Sequence, residues 1–138
     1  MKLFTVAIFA YVCAATRLIA GQADIEKLVP ILIAVESSGN DRAIGPNGET
    51  GCLQITSILL RDIRRITGQR FTRSDTFNRE TSCKIAIIYL THYVNEKRLK
   101  RPPTMRDYAM VWRYGPNGWK RREPDPYWRK VQRLLPSP

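Results

Sequence analysis

The sequence AVESSGN at residues 34–40, followed by GCLQI at residues 51–55, is the most informative part of the chain. Glu36 comes directly after an apolar run at residues 31–35 and just before the Ser-Ser-Gly-Asn sequence that ends a predicted helix. A helix C-terminus carries partial negative charge and apolar neighbours exclude water, so both disfavour an ionised carboxylate. Both effects would raise the pKa of Glu36, as a general acid requires, although spacing alone still favours a solvated glutamate in the last turn of the helix.

Helical signals continue on both sides of this stretch. Apolar residues recur at helical spacing over residues 24–37, where Pro30 predicts a late start or a kink. No segment alternates convincingly as a strand, so the fold is predicted to be mainly α. Further helices are expected after Thr56 or Ser57 to about Gly68, over about residues 81–96, from the N-cap Thr104 to Tyr114, and from the N-cap Asp125 to before Pro136.

Length and composition limit the kind of protein this is. The chain has 138 residues, which allows one modest domain and excludes a two-domain enzyme with a separate cofactor-binding half. Hydrophobic residues make up 43% of the chain, which is enough for a real core and excludes disorder throughout. We expect residues 24–138 to form that single domain.

The formal charge of +11 is concentrated near the C-terminus. Residues 24–96 carry nine basic and nine acidic side chains, whereas residues 97–138 carry twelve basic and three acidic ones, together with all three tryptophans. A basic, aromatic third beside a neutral body predicts an anionic polymer as partner. Charge alone leaves nucleic acid, a membrane surface and a bacterial wall polymer open.

The N-terminal residues 1–23 resemble a secretory signal peptide. Lys2 is followed by an apolar run at residues 3–15 and by small residues at 21–23, where cleavage is expected. The run is too short to span a bilayer, although the charge of Arg17 leaves an uncleaved N-terminal anchor as the alternative. The sequence thus predicts a secreted or periplasmic protein without a stable membrane span after cleavage.

The cysteines allow two interpretations. Cys13 falls in the predicted signal, so the mature chain would keep Cys52 and Cys83. In an oxidising compartment the two could form a disulfide, and the alternative is a pair of small buried hydrophobic residues. Two cysteines and one histidine without metal-ligand spacing predict no zinc site, and we expect no cofactor.

Together with YGPNGW at residues 114–119 and YWRKV at 127–131, the ESSGN and GCLQI motifs resemble the active-site signatures of the lysozyme-like superfamily. The resemblance is closest to lytic transglycosylases of the soluble-lytic (SLT, goose-lysozyme-like) type, and the C-terminal segment is also similar to that of invertebrate-type lysozymes. The motifs occur in the family's order and span about residues 25–133. The resemblance implies a single lysozyme-like domain of about five short helices with a substrate groove.

The same resemblance implies a substrate and a set of site residues. The substrate would be peptidoglycan glycan strands, cut at the β-1,4 bond between N-acetylmuramic acid and N-acetylglucosamine. Glu36 matches the family's catalytic glutamate, and the 114–119 loop matches the segment that closes the far side of the groove. Small bacterial relatives have asparagine where this chain has Arg113 and glycine where it has Tyr114. The residues expected to bind substrate are Ser37, Gln54, Tyr114, Asn117, Trp119 and Tyr127.

A second catalytic carboxylate is difficult to find in the sequence. Ordinary glycosidases need two, and Glu49 is a better candidate than Asp41 among the acids in the loop after Glu36. A lytic transglycosylase needs only one glutamate, because the muramic 2-acetamido group stabilises the transition state and the sugar's own 6-hydroxyl gives a 1,6-anhydro product. The sequence therefore favours a lytic transglycosylase over a hydrolytic lysozyme.

A function of another class also remains open, namely a non-catalytic cationic binder of wall polymer or nucleic acid that keeps the fold. The Glu36 environment and the export signal favour the enzyme, whereas the altered pair Arg113-Tyr114 favours the binder. The preferred partner is peptidoglycan, with no nucleic acid expected, and a monomer is the default.

Overall fold

The computed structural model describes residues 21–137, so most of the predicted signal peptide, including Cys13, lies outside the described residues. Within that range there is no β-strand, only isolated bridges between residues 44 and 50 and between residues 50 and 55. The predicted mainly α fold is confirmed. The helices are α1 at residues 21–37, α2 at Ser57–Thr67, α3 at Arg79–Tyr93, the single turn α4 at Glu96–Leu99, α5 at Met105–Tyr114 and α6 at Pro126–Leu134.

The late helix start predicted at Pro30 is wrong, because residues 21–37 are helical throughout. Proline removes the hydrogen bond to the carbonyl of the residue four positions earlier, here Glu26. Both residues are exposed, so water can bind the freed carbonyl and the helix continues. The opposite face of α1 is buried and consists of Ile25, Leu28, Val29, Leu32 and Ile33.

Local capping explains why most of the predicted helix ends are correct. The Thr56 side chain accepts a hydrogen bond from the Leu59 amide at 3.1 Å at the start of α2. Thr104 and Asp107 form a complete capping box at the start of α5. Asp125 caps α6, which has a proline at its first position. These signals lie within a few residues of the helix they begin, so the sequence displays them directly.

The helix expected over about residues 81–96 is shifted in the structure. It begins at Arg79 because the Asn78 side chain accepts from the Thr81 amide at 2.9 Å. It ends at Tyr93, and Asn95 then caps the separate turn α4. Asparagine is a strong N-cap residue, so two asparagines decide both boundaries.

The loop that follows α1 is packed tightly against the Ser74–Phe77 3₁₀ turn. Gly51 has a φ of 79°, and a Cβ there would lie 2.0 Å from the Thr76 carbonyl oxygen, so only glycine fits. The Thr76 hydroxyl lies 2.6 Å from the Thr50 hydroxyl in a buried hydrogen bond, and the Ser82 hydroxyl donates to the Thr76 carbonyl at 2.7 Å. These contacts fix the GCLQI segment beneath the end of α1.

A single hydrophobic cluster joins the helices. It takes side chains from α1, the 52–55 segment, α2, α3, α5 and α6, with Leu32, Leu53, Ile63, Ile85, Val111 and Val131 all fully buried. Among the helices of residues 21–137, none combines the length and the apolar character that crossing a membrane requires. The cluster supports one groove, whose walls come from both halves of the chain.

Candidate active site

An open groove of about 560 Å³ runs past the C-terminal end of α1. Its lining comes from the end of α1, the loop at residues 46–54, α2, α3, α5, the 115–116 turn and α6. Its charged and aromatic lining comprises the carboxylates Glu36, Glu49 and Asp62, the rings of Tyr89, Trp112 and Tyr127, and the cations Arg113 and Lys130. Such a cleft, with few convergent polar groups, is where a ligand is expected.

Glu36 lies half-buried at this groove, in the last turn of α1. The Tyr127 hydroxyl donates a hydrogen bond to Glu36 Oε1 at 2.7 Å. Burial raises the pKa of Glu36 above its ordinary value, and this outweighs the lowering by the Tyr127 hydrogen bond and by the Arg113 charge. Tyr127 binds Oε1, and no hydrogen bond from another described residue reaches the carboxyl, so Oε2 is available to hold a proton.

Tyr127 is itself held in place from two sides. Asp125, which is buried, accepts the backbone amides of Tyr127 and Trp128 on Oδ1 at 2.9 and 3.0 Å. Asp125 Oδ2 in turn accepts the Tyr114 hydroxyl at 2.9 Å. Burial and the neighbouring Glu36 raise the pKa of the Tyr127 phenol far above its usual value, so the phenol stays protonated and keeps donating.

The two residues at which the chain departs from small bacterial relatives both contact this assembly. The Arg113 guanidinium lies 5.5 Å from the centre of the Tyr127 ring, and Tyr114 meets that ring edge-on at 6.3 Å. The Arg121 guanidinium carbon lies 4.0 Å from the centre of the Tyr114 ring. Arg113 and Tyr114 therefore support the tyrosine that binds Glu36, in addition to any contact with a ligand.

Glu49 lines the same groove in a different environment from Glu36. Its carboxylate accepts the Asn47 backbone amide at 3.0 Å and the Asn47 side-chain amide at 3.2 Å. Hydrogen bonds within this turn lower the pKa of Glu49 below its ordinary value. The groove thus contains one carboxyl whose pKa is raised and one whose pKa is lowered, a contrast typical of acid and base pairs.

Ser37 and Gln54, both predicted to bind substrate, have different surroundings. The Ser37 hydroxyl donates to the Cys52 carbonyl at 2.8 Å and lies outside the groove lining, so it ties the end of α1 to the 51–55 segment. Gln54 lines the groove with a left-handed φ of 51°, and its Nε2 donates to the Gly51 carbonyl at 2.9 Å. Gln54 is therefore available to a ligand through its side-chain oxygen.

The loop at residues 114–119 reaches the groove with Gly115 and Pro116, whereas Tyr114, Asn117 and Trp119 lie outside its lining. Arg98 holds this loop by donating to the Pro116 carbonyl at 2.7 Å and to Asn117 Oδ1 at 3.1 Å. The side chains of Asn117 and Tyr114 are thus occupied by internal hydrogen bonds. Their contact with substrate stays a prediction, and the structure gives them a role in fixing the loop.

Sequence reasoning did not select several lining residues. Tyr89 is buried, yet it also contributes to the groove lining. Nothing local distinguishes such a tyrosine, or Trp112 and Asp62, from neighbours that face elsewhere. Lys130 could have been found, because it follows Tyr127 by three positions and therefore lies on the same face of α6.

Cys52 and Cys83 are free thiols in the structure, rather than the disulfide that the sequence allowed. Cys52 is buried, and burial raises the pKa of its thiol to about 11. The interpretation as a small buried hydrophobic residue fits Cys52, whereas Cys83 is only partly buried. Within residues 21–137 no three or more His, Cys, Asp or Glu side chains are grouped in a way that could hold a metal ion.

Comparison with known proteins assigns the chain to a protein family. A family model described as the Transglycosylase SLT domain matches residues 19–112, which is more than half of the chain. The match includes Glu36 and Gln54 and ends before the 114–119 loop and α6. No curated protein matches the chain. With its small helical fold and its groove, the chain belongs to the SLT domain family of glycan-cleaving transglycosylases.

Proposed function

We propose that the chain is an exported enzyme that cleaves peptidoglycan at the β-1,4 bond between N-acetylmuramic acid and N-acetylglucosamine, as a lytic transglycosylase that gives 1,6-anhydro products. The observation that carries the proposal is the half-buried Glu36, whose raised pKa and free Oε2 suit a general acid at the groove. Membership of the SLT family supports a glycan strand as the substrate.

One glutamate can serve both halves of this reaction. Glu36 Oε2–H protonates the glycosidic oxygen, the C1–O bond breaks, and the muramic 2-acetamido group stabilises the cationic sugar. The Glu36 carboxylate then accepts the proton of the 6-hydroxyl as O6 bonds to C1, which restores the protonated acid. Between the two steps Glu36 is ionised, and the hydrogen bond from Tyr127 stabilises that state.

A hydrolytic lysozyme is the second candidate, and Glu49 is the observation that favours it. Glu49 is an ionised carboxylate in the same groove as Glu36. A hydrolase could use it as nucleophile, as base for a water, or as an electrostatic stabiliser of the transition state. Glu49 therefore becomes the residue on which the choice between the two reactions depends.

Export and wall attachment complete the proposal. We infer a secreted or periplasmic monomer, delivered by the signal at residues 1–23 and held on an anionic wall by the basic residues of 97–138. Arg122, Arg129 and Arg133 are exposed and suit this attachment. A non-catalytic cationic binder would share the basic surface but would have no need of a protonated glutamate.

The decisive experiment compares wild type with Glu36→Gln on purified murein, by loss of turbidity and by mass spectrometry of the released muropeptides. The substitution keeps shape and hydrogen bonding but removes the acid, so we expect the rate to fall by about 10²-fold or more. Glu26→Gln is the matched control, because Glu26 is exposed on the same helix and lies outside the groove lining.

Anhydro products would support the transglycosylase, and reducing-end products would support the hydrolase. If wild type leaves murein intact, or if Glu36→Gln clears it as fast as wild type, the catalytic proposal fails. Circular dichroism of each variant separates loss of chemistry from loss of fold.

A further inference from the structure

Arg113 has a side chain that the fold positions but does not use for hydrogen bonding. It is exposed, it lines the groove, and its guanidinium rests on the Tyr127 ring with 5.5 Å between the guanidinium carbon and the ring centre. No residue of 21–137 accepts a hydrogen bond from it or forms an ion pair with it. Its five N–H donors are therefore available in a rigid fork whose geometry matches a carboxylate.

The position of Arg113 is fixed relative to the catalytic acid. The ring that supports the guanidinium belongs to the tyrosine whose hydroxyl binds Glu36. The Arg113 charge lowers the pKa of both Glu36 and Glu49, so it acts on both carboxyls of the groove. An anion bound by Arg113 would consequently lie beside the bond that Glu36 protonates.

A second cation reinforces this point. Lys130 lies one helical turn after Tyr127, is exposed in the same groove, and also lowers the pKa of Glu36. Other arginines of the basic third are already engaged, since Arg101 pairs with Asp107 at 2.6 Å and Arg106 with Glu123 at 2.6 Å. Arg113 and Lys130 therefore give the groove positive charge close to Glu36 that is not used in ion pairs.

We propose that Arg113 binds a carboxylate on the O3 substituent of the muramyl residue whose glycosidic bond is cleaved, and so determines which wall glycans are cut. This inference rests on the proposed function, because it assumes a muramyl strand in the groove. N-acetylglucosamine is uncharged, whereas the O3 substituent of muramic acid bears carboxylates. An arginine at this position adds the charge that the asparagine of small bacterial relatives lacks.

The carboxylate has two sources. A muramyl residue without peptide has a free lactyl carboxylate on O3, and a muramyl residue with a peptide stem carries its carboxylates farther along the stem. The shared chemistry is a bidentate pair between a guanidinium and a carboxylate, which is strong when it is partly shielded from water. The experiment must therefore offer both sources, together with an uncharged glycan.

The test measures binding in a Glu36→Gln background, so that no probe is consumed. Three tetrasaccharides serve as probes: peptide-free alternating N-acetylglucosamine and N-acetylmuramic acid, the same strand with peptide stems, and an N-acetylglucosamine tetramer. Adding Arg113→Gln should weaken at least one muramyl probe by about tenfold or more, and the uncharged tetramer by less than about twofold. The difference should shrink at high salt.

Two further variants separate charge from shape. Arg113→Lys keeps the charge without the fork and should recover only part of the affinity. Arg64→Gln removes the same charge from an exposed position on α2 outside the groove lining, and it should leave all three affinities unchanged. If Arg64→Gln weakened the muramyl probes as much as Arg113→Gln does, a general charge effect would replace the proposed contact.

The pattern of weakening over the three probes identifies the carboxylate that Arg113 binds. Weakening confined to the peptide-free strand identifies the lactyl carboxylate, and weakening confined to the stem-bearing strand identifies the stem. Equal weakening of all three probes, no weakening, or no binding of a muramyl probe even with Arg113 present would overturn the inference. The proposed function fails by a separate readout, since it requires wild type to cleave murein and the binding series does not.

Discussion

The neutral part of the chain, residues 24–96, and the basic part, residues 97–138, contribute to the groove in different ways. The neutral part supplies every carboxylate in the groove lining, namely Glu36, Glu49 and Asp62. The basic part supplies both cations, Arg113 and Lys130, and the ring and hydroxyl of Tyr127. Glu36 and the tyrosine that binds it are thus 91 positions apart in sequence.

The difference teaches that Glu36 and the hydrogen bond that adjusts its pKa come from separate parts of the chain. The family match ends at Trp112, so it contains Glu36 but not Tyr127. Both departures from small bacterial relatives also fall beyond that point and contact Tyr127. Tyr127, Arg113 and Tyr114, which determine the surroundings of the Glu36 carboxyl, thus all lie outside the segment that the family model matches.

The charge of the basic part also has a second purpose. Arg98 holds the 114–119 loop, Arg101 and Arg106 form ion pairs, and Arg121 lies 3.6 Å from Asp125. These arginines fix the segments that carry Tyr127 and Arg113. The net charge by itself therefore overstates the surface that is available to an anionic polymer.

The largest expected effect tests whether the neutral part depends on the packing of its loop. Gly51→Ala introduces a Cβ 2.0 Å from the Thr76 carbonyl at a left-handed φ of 79°. We expect the free energy of unfolding to fall by about 3 kcal/mol or more, from steric overlap added to backbone strain. Denaturant unfolding measures the loss.

Gly68→Ala is the matched control for that prediction. Gly68 has a similar φ of 75° but nothing within 4 Å of its Cβ position, so its substitution should cost only about 1 kcal/mol of backbone strain. Equal losses for the two variants would contradict a tightly packed loop beneath Glu36.

The next effect tests whether Tyr127, in the basic part, adjusts the pKa of Glu36 in the neutral part. Tyr127→Phe removes the hydrogen bond that lowers the pKa of Glu36, so this pKa should rise further. The general acid works when protonated, hence activity is lost as pH rises through that pKa, and the alkaline limb of kcat/KM should move to higher pH. We also expect the maximal rate to fall about tenfold, since the ionised intermediate state loses a stabilising donor.

A buried tyrosine away from the groove provides the control. Tyr108→Phe removes a hydroxyl whose phenol also has a raised pKa, about 12, because of burial, but Tyr108 does not line the groove. Its pH profile should match that of wild type. An alkaline limb that stays in place in Tyr127→Phe would mean that Tyr127 only fills space.

These residues also show how far sequence can predict such a site. The caps Thr104 and Asp125 were predictable because each acts within three residues of itself. The direction of the Glu36 pKa was predictable from an apolar run and a helix end, and the structure agrees. The partner of Glu36 was not predictable from spacing, because only the folded core brings Tyr127 to it.

The loop at residues 114–119 shows where prediction from the sequence fails. Tyr114 and Asn117 are predicted ligand contacts because their loop matches the family's segment that closes the groove. Their hydroxyl and amide oxygen are instead bonded to Asp125 and Arg98, which lie 11 and 19 positions away. Hydrogen-bond partners at such separations depend on tertiary packing, which local patterns do not encode.

A smaller effect tests whether Tyr114 influences the pKa of Glu36 by helping to position Tyr127. Tyr114→Phe removes the hydrogen bond to Asp125, the residue that caps α6 and so positions Tyr127. We expect a loss of about 1 kcal/mol in unfolding free energy, because Tyr114 is 36% exposed and the bond competes with water. The alkaline limb should shift in the same direction as in Tyr127→Phe, by less. A destabilised variant with an unshifted limb would confine Tyr114 to a structural role.

The smallest expected effect concerns Glu49, which distinguishes a transglycosylase from a hydrolase. Glu49 belongs to the neutral part and has no hydrogen bond to the basic part. In a transglycosylase Glu49 only repels Glu36 electrostatically, so Glu49→Gln should change the maximal rate on murein by less than about threefold. Because Glu49 raises the pKa of Glu36, its removal should move the alkaline limb to lower pH, opposite to Tyr127→Phe.

Asp41→Asn is the control, since Asp41 pairs with Arg79 at 2.8 Å outside the groove lining. A loss of about 10³-fold with Glu49→Gln alone would instead make Glu49 a second catalytic carboxylate and the enzyme a hydrolase.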